Sequence, residues 1–527
     1  MGAYFNGFMF MRLVFFLTCS FLLLSDSLSA LQPLCHEDES SALMQFKHRF
    51  VINKYVSLYP FAYPKVASWK NNSDCCSWDG VECSEDTGHV VSLDLSSSCL
   101  YGSINSNSSL FHLVHLRRLN LAITLQLLSN PFGVAHLSRL EYLNLSSSKF
   151  SGQIPSEVSQ LAKLSSLDLS YNHDAYSKRT NLITGHLPAF NSSSPLRFYG
   201  SVNSLQGFLP VLPPSIQSLG VWDNALTGKI SPWVCNLTSL VEIDLSFNML
   251  SGTLHPCLSN FSRSLEVLSL QNNNFYGNIP KGWVKGANLK LIDLSENQLQ
   301  GQLPRSWVHC PMLEFLHVGD NEIHDTFPFW LGTLAQLKVL ILHSNRFHGV
   351  INDPETNDTF PKLRIIDLSH NDFSGNLPSR YFLQWNSMRT SDAKKLTYLL
   401  VGINGSTGWE VRFDYTFNIT FKGKEQEYWR IQDVFTFIDF SCNRFRGEIP
   451  EAVGNLTALQ SLNFSNNGLT GHIPSSLGNL KNLEVLDLAQ NKLVGEIPPE
   501  LVQLNFLAVF NVSNNSLTGP IPQWKTI

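Results

Sequence analysis

The chain has few charged residues for its length, and neither sign of charge dominates. Of 527 residues, 15% are charged, and 37 Lys and Arg stand against 42 Asp and Glu, for a formal net charge of −5. Ordinary soluble domains have roughly 25% charged residues. A strongly basic surface is the electrostatic mark of nucleic-acid-binding proteins, so the composition excludes that class.

Long apolar runs are missing after the N-terminus. Arg12 precedes an apolar stretch from Leu13 to Leu24, which is too short to span a bilayer, and small residues up to Ala30 follow it. This pattern predicts a secretory signal peptide over 1–30 and a mature chain that begins near Leu31, with an uncleaved signal anchor as the alternative. No later stretch reaches 18 apolar residues, so no membrane span is expected in the chain.

Motifs of catalysis and of cofactor binding are missing as well. The sequence contains no nucleophile elbow, HExxH, GxGxxG, Walker or EF-hand loop, and its 16 His are scattered. The acidic stretch "NDPETND" (352–358) has the composition of a turn rather than the ligand spacing of a calcium loop. We therefore expect a protein that is not an enzyme, with no catalytic residue, metal site or cofactor.

Cysteines and glycosylation motifs fit an exported protein. Of the ten Cys, Cys19 is removed with the signal peptide, and nine remain. Because nine is an odd number, at least one should be a free thiol even in an oxidising compartment. Triplets of the N-x-[ST] type predict surface glycans. They begin at Asn71, Asn107, Asn144, Asn191, Asn236, Asn260, Asn357, Asn404, Asn418, Asn455, Asn463, Asn511 and Asn514.

A repeat of about 24 residues organises the mature chain. Stretches such as "LNFSNNGLTGHIPSSLGNLKN" and "LDLAQNKLVGEIPPELVQLNF" share the unit LxxLxLxxNxLxGxIPxxLxxL, and we count sixteen coils, some of them degenerate. The alternation in LxLxx predicts a short strand with its Leu residues inward. One coil cannot bury its own Leu side, so stacked coils should form a parallel sheet on a concave face. The Asn should turn inward and bond backbone groups that the turn leaves unpaired. A period in this range is that of a leucine-rich repeat.

The repeat "GxIPxxLGNLxxLxxLDLSxNxLxG" resembles the plant-specific leucine-rich repeat. The stretches "CHEDESSALMQFKHRF" and "ASWKNNSDCCSWDGVECSEDTGHVVSLDLSS" resemble the N-terminal cap of that family. The resemblance implies an α/β solenoid, a leucine-rich-repeat superhelix of about 16 coils, with a cap over 31–90 and about twelve coils over 91–378. It also implies disulfides Cys35–Cys75 and Cys76–Cys83.

Three other predictions concern the cap helix and the remaining cysteines. "DESSALMQF" should form a helix that turns Leu43, Met44 and Phe46 towards the first coil. Cys235 and Cys257 occupy near-equivalent points of neighbouring coils, where a third disulfide and two free thiols are both possible readings. The pairing of Cys99, Cys310 and Cys442 is left open, with unreactive thiols favoured.

The repeat is interrupted once. Between Asn371 and Asn443 lie 72 residues, most of them without the repeat, after which "FTFIDFSCNRFRGEIP" resumes in phase. An insertion that preserves the register predicts a loop-out, or island, over 379–434, followed by the last four coils over 435–527. The alternating "YTFNITFKG" predicts a short hairpin within it. Long loops in compact arrays are commonly functional, and an insertion that merely packs on the solenoid is the alternative.

The island narrows the resemblance. "YFxxWxxM" at its start and "FKGxxxxYxxI" before the resumed repeat resemble the plant receptor-like proteins, including Cf-type disease-resistance receptors. That resemblance implies a plasma-membrane glycoprotein without a kinase domain, which senses an extracellular molecule and recruits a receptor-kinase co-receptor through the island and the last four coils. The residues it points to are Trp409, Arg412, Tyr415, Lys422, Gly423, Tyr428, Ile431 and Asp487, with strand faces at Asn463 and Asn511.

The ligand surface is expected on the outward residues of the concave strands. Aromatic and charged side chains there are typical anchors of protein recognition, although most single positions are only solvated. The candidates are Tyr199, Trp222, Asp223, Phe247, Glu296, Phe315, His317, Asp320, His343 and His370. Because glycans at Asn144, Asn463 and Asn511 would block their surroundings, we expect the ligand patch between coils 5 and 12.

A second function remains open at this point. A secreted protein that acts as a decoy, or that inhibits a microbial cell-wall-degrading enzyme, would resemble the polygalacturonase-inhibiting proteins, but those have about ten coils and no island. The ending "SLTGPIPQWKTI" lacks the Cys-bearing cap, acidic stretch and membrane helix of receptor-like proteins. It predicts a C-terminally truncated chain, secreted into the apoplast if it truly ends at 527, with an exposed last coil.

Overall fold

The fold comes from a computed structural model. The residues that it describes are 34–54, 60–123, 132–172, 183–190, 194–260, 264–354, 356, 358–390, 397–404, 410–414, 417–421, 424–428 and 430–523. The signal peptide and the predicted residues Asn191, Asn357, Trp409, Tyr415, Lys422 and Gly423 lie outside them. Among the described residues, no helix combines the length and the apolar character needed to cross a membrane. The chain divides into two compact units, 1–144 and 145–527.

The first unit contains the cap and three parallel strands. Helix α1, Glu37–Lys47, has three acidic residues in its first turn, which suits the positive end of a helix, and it buries Ala42, Leu43 and Phe46. Met44 is only half-buried. Strand Val81–Cys83 pairs antiparallel with Val90–Asp94, which begins the parallel row Val90–Asp94, Arg118–Asn120 and Tyr142–Asn144. A small ladder joins Val51–Ile52 to Leu100–Tyr101.

Among its described residues, the second unit contains thirteen parallel strands on its concave face. Together with the three parallel strands of the first unit they make sixteen, which is the number of coils that the repeat predicts. Each strand pairs with the next in chain order. They are Ser166–Asp168, Leu196–Tyr199, Ile216–Gly220, Glu242–Asp244, Val267–Ser269, Leu291–Asp293, Phe315–His317, Val339–Ile341, Ile365–Asp367, Phe437–Asp439, Ser461–Asn463, Val485–Asp487 and Val509–Asn511. Both units are therefore built from leucine-rich-repeat coils, and the fold class is confirmed.

A second row of short strands follows the Asn turn of each coil in the second unit. Eight of them form one sheet: Gly152–Gln153, Ile183–Gly185, Ser204–Gly207, Ala225–Gly228, Met249–Thr253, Asn274–Asn278, Gln298–Gly301 and Glu322–Ile323. Four more form a second sheet: His348–Val350, Asp372–Asn376, Arg444–Glu448 and Gly468–Thr470. The last two, Val494–Gly495 and Ser516–Leu517, pair with each other. Short 3₁₀ turns then close most coils, for example Arg305–His309 and Ser475–Asn479.

The inward Asn of each coil joins it to its neighbour. The Asn273 side-chain nitrogen donates to the carbonyls of Leu245, Leu270 and Gln271 at 3.0, 3.2 and 3.0 Å, and its oxygen accepts from the Leu250 N–H at 3.0 Å. The same pattern recurs at Asn248, Asn297 and Asn321. Backbone groups that the turn would otherwise leave buried and unpaired are thus satisfied, as the sequence predicts.

The residue just before each of these Asn adopts the left-handed conformation. We call this series of positions the left-handed column. Its members in the second unit are Tyr171, Val202, Asp223, Phe247, Asn272, Glu296, Asp320, Ser344, His370, Cys442, Asn466, Gln490 and Asn514, with φ between 49° and 58°. The backbone N–H of each member from Tyr171 to Gln490 donates to a carbonyl of the next coil; that of Phe247, for instance, donates to the Gln271 carbonyl at 2.9 Å. The column therefore presents one side chain per coil at a fixed place.

The island leaves the repeat without disturbing it. Strand Ile365–Asp367 pairs directly with Phe437–Asp439, and Asn443 donates to the Leu368 carbonyl at 2.9 Å across 75 residues of sequence. Helix α2, Ser379–Phe382, opens the insertion and buries Tyr381 and Phe382. Within the island, Leu400–Asn404 pairs antiparallel with Glu410–Asp414, and Phe417–Phe421 with Lys424–Tyr428. The island thus holds two hairpins where the sequence predicted one.

The core of the second unit is least complete at the last described coil. Leu462 and Leu486, the inward residues of two preceding strands, are fully buried, whereas the equivalent Phe510 is 39% exposed. Phe506 is 65% exposed. Stacking by a following coil is what buries this face elsewhere in the array.

The Asn ladder gives a first prediction. We expect Asn273→Ala to lower the free energy of unfolding by roughly 1–3 kcal/mol, because it leaves the buried Leu250 N–H without its partner and removes one of the hydrogen bonds to each of three carbonyls. Equilibrium urea unfolding of the secreted chain measures this change. The matched control is Gln298→Ala, which removes an exposed amide and should change stability by less than about 0.5 kcal/mol. Equal effects of the two substitutions would contradict the assignment.

Candidate functional site

The ten predicted ligand residues do not share one kind of position. Tyr199 and His317 end concave strands, and Phe315 begins one. Trp222 and His343 follow their strands by two residues. The others, Asp223, Phe247, Glu296, Asp320 and His370, are not on strands and belong to the left-handed column. The prediction that all ten are outward strand residues is therefore wrong for these five and for Trp222 and His343, because the repeat pattern does not reveal where the strand ends and the turn begins.

The island covers part of the concave face. Leu399, Val401 and Ile431 of the island are 1%, 1% and 2% exposed and pack in one apolar cluster with concave residues of the neighbouring coils. Those residues are Val267, Leu291, Phe315, Val339, Ile341, Ile365, Phe437 and Val485. Phe315 and Ile431 were predicted to meet partners, but both are buried in this cluster. The island thus explains why the strands in this cluster begin with an apolar residue, as at Leu291 and Val339.

Polar contacts join two island segments to each other, and one of these segments to a coil, at the same place. The Leu399 N–H donates to the Ile431 carbonyl at 2.7 Å, and the Asp433 N–H donates to the Thr397 carbonyl at 2.7 Å. Lys290, which pairs with Glu266 at 2.8 Å, donates to the island carbonyl of Gly402 at 2.8 Å. Two island segments, 397–404 and 430–433, therefore form the part that rests on the coils.

The start of the island is anchored by aromatic residues. Tyr381 and Trp385 are buried, and their rings contact those of Phe327, Phe360 and Phe440 at 5.6–6.5 Å. Backbone contacts continue the anchorage, since the Ala458 N–H donates to the Met388 carbonyl at 2.9 Å. The "YFxxWxxM" motif thus has a structural role, which is to attach the island to the coils on both sides of it.

An acid–histidine group lies beside the covered patch. His317 is 2% exposed, and its Nδ1 lies 3.4 Å from Asp293 Oδ2, while His343 Nδ1 lies 3.6 Å from Asp320 Oδ2. Burial works to lower the pKa of His317, but Asp293, Asp320 and Glu296 together outweigh it, so that the pKa is raised. At the island junction, burial and then the Asp367 carboxylate raise the pKa of Asp439.

A second part of the concave face is open and aromatic. Tyr171 and Trp222 meet edge to face at 5.8 Å, and Tyr171 is 42% exposed. The Tyr199 hydroxyl donates to Glu242 Oε2 at 3.1 Å. Tyr171 and Glu242 were not predicted. Tyr171 had a sequence signal, an aromatic residue just before the inward Asn172, whereas nothing in the sequence shows that Glu242 is buried. We call Tyr171, Tyr199, Trp222 and Asp223 the open patch.

Both disulfides that the family resemblance implies are present, and so is the third, which the sequence left open. Cys35–Cys75 and Cys76–Cys83 form in the cap, and Cys235–Cys257 joins two neighbouring coils.

The glycosylation motifs differ in their exposure. Five of the predicted acceptors are exposed, as glycan acceptors must be: Asn71, Asn107, Asn236, Asn455 and Asn514. By contrast, the side-chain nitrogens of Asn463 and Asn511 donate to Asp439 and Asp487 on the preceding coils at 2.9 and 3.2 Å. Asn463 and Asn511 are also half-buried between coils, which leaves the five exposed residues as better acceptors.

A buried charge network strengthens the cap. Glu39, 4% exposed, accepts from the Val90 N–H at 2.9 Å and lies 3.3 and 3.5 Å from Nδ1 of His89 and His115. These spacings resemble those of metal ligands. However, the two imidazole rings are stacked at 3.6 Å with only 15° between their planes. In-plane nitrogen lone pairs of parallel rings do not converge on one ion, so we interpret the group as compensation of a buried carboxylate.

The pKa of Glu242 gives a second prediction. Burial, and then the Asp244 carboxylate, raise the pKa of Glu242 from 4.5 to about 7. The folded chain therefore keeps a proton that the unfolded chain loses, and this stabilising contribution is complete below about pH 4.5 and declines as the pH rises to about 7. We expect Glu242→Gln to remove the decline, with a gain at pH 7 of up to about 3 kcal/mol over the parent and little change at about pH 4.5.

Urea unfolding of both chains at a series of pH values tests this. The control is Glu322→Gln, whose carboxylate is 48% exposed and pairs with Arg346. Because this variant keeps Glu242, its stability should change with pH in parallel with that of the parent. A Glu242→Gln profile parallel to that of the parent would contradict the prediction.

Family models match the chain over its cap and in several parts of the array. The model described as "Leucine rich repeat N-terminal domain" matches 36–84, and "Leucine rich repeat" matches 263–323. "Leucine Rich repeats (2 copies)" matches 457–501, and single repeats match 139–161, 239–261, 362–381 and 435–456.

Curated relatives from Arabidopsis thaliana are receptor-like proteins. Receptor-like protein 54 is 39% identical over 62% of this chain and 41% of its own length. Receptor-like protein 35 is 41% identical over 61% of this chain and 30% of its own length. Receptor like protein 27 is 32% identical over 70% of this chain and 45% of its own length. The chain thus spans less than half of the length of these relatives.

Receptors are among the solved structures with a similar fold. A TDR receptor structure matches with a TM-score of 0.62 and 27% identity over 85% of this chain and 72% of that one. The receptor kinase HAESA from Arabidopsis, in complex with the peptide hormone IDA and the co-receptor SERK1, matches with a TM-score of 0.50 and 25% identity over 92% of this chain and 87% of that one. With the cap, the repeats and the relatives above, these likenesses identify the chain as a plant leucine-rich-repeat receptor-like protein.

Proposed function

We propose that this chain is the extracellular recognition part of a receptor in plant defence signalling. It binds a protein or peptide ligand, of microbial or endogenous origin, on its concave face. It recruits a receptor-kinase partner through the island and the last four coils. The observation that carries the proposal is the island itself, which folds back on the concave face at 397–404 and 430–433 and leaves coils open on either side of it.

The open patch is the proposed ligand surface. It combines the partly exposed rings of Tyr171 and Trp222 with the exposed carboxylate of Asp223. Rigid aromatic side chains give a large contact area at low entropic cost, which is why they are enriched among the residues that dominate binding energy. The acid–histidine group adds the partly exposed ring of His343 and the exposed carboxylate of Asp320 on the coils nearer the island.

The proposed partner surface lies after the island. Asp487 is partly exposed, and the left-handed column continues there with the exposed residues Asn466, Gln490 and Asn514. Recruitment of a co-receptor is supported by likeness to HAESA, whose structure contains the co-receptor SERK1. The proposed location is the outer face of the plasma membrane for the longer protein, reached by secretion, with three disulfides suited to that compartment.

The island also distinguishes this proposal from a secreted enzyme inhibitor or decoy. Such an inhibitor would use an uninterrupted concave face, whereas here the middle of that face is buried beneath the island's own apolar side chains. In a receptor that binds both a ligand and a co-receptor, the island would separate the two binding surfaces. Recognition, and not catalysis, is therefore the role that we assign.

Partner recruitment gives a third prediction. We expect the secreted chain to bind a purified SERK1 ectodomain in biolayer interferometry, and Gln490→Arg to weaken that binding by about tenfold or more, because it adds a large charged group to the exposed turn. Gln300→Arg is the control, since Gln300 is equally exposed but lies on the second row of strands. Absence of binding by the parent chain, or equal effects of both variants, would contradict recruitment through the last coils.

The resting place of the island gives a fourth prediction. We expect Leu399→Asp to detach the island, because it places a charge in an apolar cluster, and to accelerate amide hydrogen exchange of 397–404 and 430–434 by about tenfold or more. Tyr398→Asp is the matched control, because the neighbouring Tyr398 is 47% exposed. Exchange measured by mass spectrometry should distinguish the two, and equal protection in both variants would argue against the buried contact.

A further inference from the structure

The three disulfides of the described residues differ in how far solvent reaches them. Cys75 is 0% exposed, so the Cys35–Cys75 bond is shielded at that end. Both sulfurs of Cys76–Cys83 and of Cys235–Cys257 belong to partly exposed residues. Exposed disulfides are the ones that thiols in solution can attack. Three other cysteines are free: Cys99, Cys310 and Cys442.

The repeat brings a histidine to the disulfide of the array. Cys235 lies in the 3₁₀ turn Pro232–Asn236 and Cys257 in the turn Pro256–Asn260 of the next coil, with their Cα atoms 5.5 Å apart. His255 directly precedes the second turn, and its Nδ1 accepts from the Cys257 N–H at 3.2 Å. This backbone bond holds the ring beside the disulfide.

The same ring nitrogen lies against one of the two sulfurs. His255 Nδ1 is 3.4 Å from Cys235 Sγ, and the two sulfurs and a ring nitrogen all lie within 4.8 Å of one another. Three such atoms could hold a metal ion only if both sulfurs were thiolates, whereas here they are bonded to each other. His255 is partly exposed, so its ring can exchange protons with water. The arrangement therefore suits a proton donor to a sulfur that leaves.

The cap disulfides have carbonyl oxygens beside their sulfurs instead. Cys76 Sγ lies 3.7 Å from the Gly88 carbonyl oxygen, and Cys35 Sγ lies 3.5 Å from that of His36. A partial negative charge disfavours a thiolate beside it, whereas a protonated imidazole stabilises one. Because a disulfide breaks faster when its leaving sulfur is a stabilised thiolate, the array disulfide should be the more labile of the two that are partly exposed.

We propose that the Cys235–Cys257 disulfide, with His255 as its proton donor, is an exchange site for low-molecular-weight thiols outside the cell. Small thiols are the expected reductants because the predicted glycan acceptor Asn236 is exposed directly next to Cys235. A glycan at that position would hinder a protein reductant more than a small molecule.

The exchange proceeds in two steps. A thiolate R–S⁻ attacks Cys257 Sγ and forms a new S–S bond with it, while the bond to Cys235 Sγ breaks. The Cys235 thiolate takes a proton from the His255 imidazolium. A second thiolate then attacks the R–S sulfur of the mixed disulfide, which releases R–S–S–R and the Cys257 thiolate, and the latter takes a proton from water. Two thiols are thus oxidised to one disulfide as the protein disulfide is reduced to two thiols.

The consequence is a looser link between two coils, one of which contributes to the open patch. Cys235 lies on the same coil as Trp222. The concave strands of the two coils, Ile216–Gly220 and Glu242–Asp244, pair independently of the disulfide. Reduction should therefore free the turns and leave the sheet intact. The exchange site stands on the contacts at the disulfide alone, and it would exist whether or not the open patch binds a ligand.

Graded reduction tests the exchange. The full secreted chain, with all three disulfides formed, is incubated with reduced glutathione under native conditions at about pH 7, where a small fraction of the thiol is ionised. Samples are quenched with N-ethylmaleimide and mapped by mass spectrometry. We expect Cys235–Cys257 to open at least about threefold faster than Cys76–Cys83. Opening of Cys235–Cys257 no faster than that of Cys76–Cys83 would overturn the proposal.

The identity of the leaving sulfur tests the role of His255. In the parent chain we expect the first glutathione adduct on Cys257 and not on Cys235. We expect His255→Asn, whose amide oxygen can still accept from the Cys257 N–H, to slow opening by roughly three- to tenfold and to abolish this preference. A merely structural role of the ring would not determine which sulfur is attacked.

His472→Asn is the matched control, because His472 is exposed on a distant coil, and it should change neither the rate nor the preference. Equal rates and the same adduct position in all three chains would reject His255 as the proton donor and with it the proposal. If His255→Asn is secreted without the array disulfide, the comparison of the two disulfides in the parent chain decides.

Discussion

The hydrogen bonds of the inward Asn residues are the interaction on which the rest of the second unit depends. Each amide satisfies three carbonyls and one N–H that belong to two successive coils, as at Asn273. These groups lie at a turn that is closed off from water, where an unpaired polar group would cost about 1–3 kcal/mol. The ladder therefore fixes both the shape of each coil and its spacing from the next, and it does so without using any outward side chain.

This separation of inward and outward residues explains how the array accommodates the island. At the junction the Asn443 side-chain nitrogen donates directly to the Leu368 carbonyl, and strand Ile365–Asp367 pairs with Phe437–Asp439 in register. The scaffold does not need the intervening residues for its own bonding. What the island requires instead is an apolar surface to rest on, and the first position of successive strands supplies it through Leu291, Phe315 and Val339.

The inward half of the structure could be predicted from the sequence because it repeats. The number of strands, the place of Asn273 and its equivalents, the cap helix and the register across the island all follow from spacing alone. The outward half does not repeat, and its environment depends on what covers it. Phe315 and Trp222 are both aromatic residues at non-consensus outward positions, but one is buried by Leu399 and Val401 while the other is partly exposed. No local pattern distinguishes them, since the covering residues lie far away in the chain.

The left-handed column is a second feature that the sequence pattern does not predict. It also shows how the array places variable side chains next to one another. A position with φ near 50° would be expected to favour Gly, Asn or Asp, yet it holds Phe247, His370 and Cys442 here. The ladder bonds on either side hold the turn whatever the side chain, which makes the position free to vary. A variable residue at a fixed point on every coil, beside an identical point on the next, is how a repeat brings together side chains that are distant in sequence. His370, Cys442 and Asn466 are one such set, and the open patch with Tyr171 and Asp223 is another, so the same backbone constraint that stabilises the array also places variable side chains of successive coils next to one another.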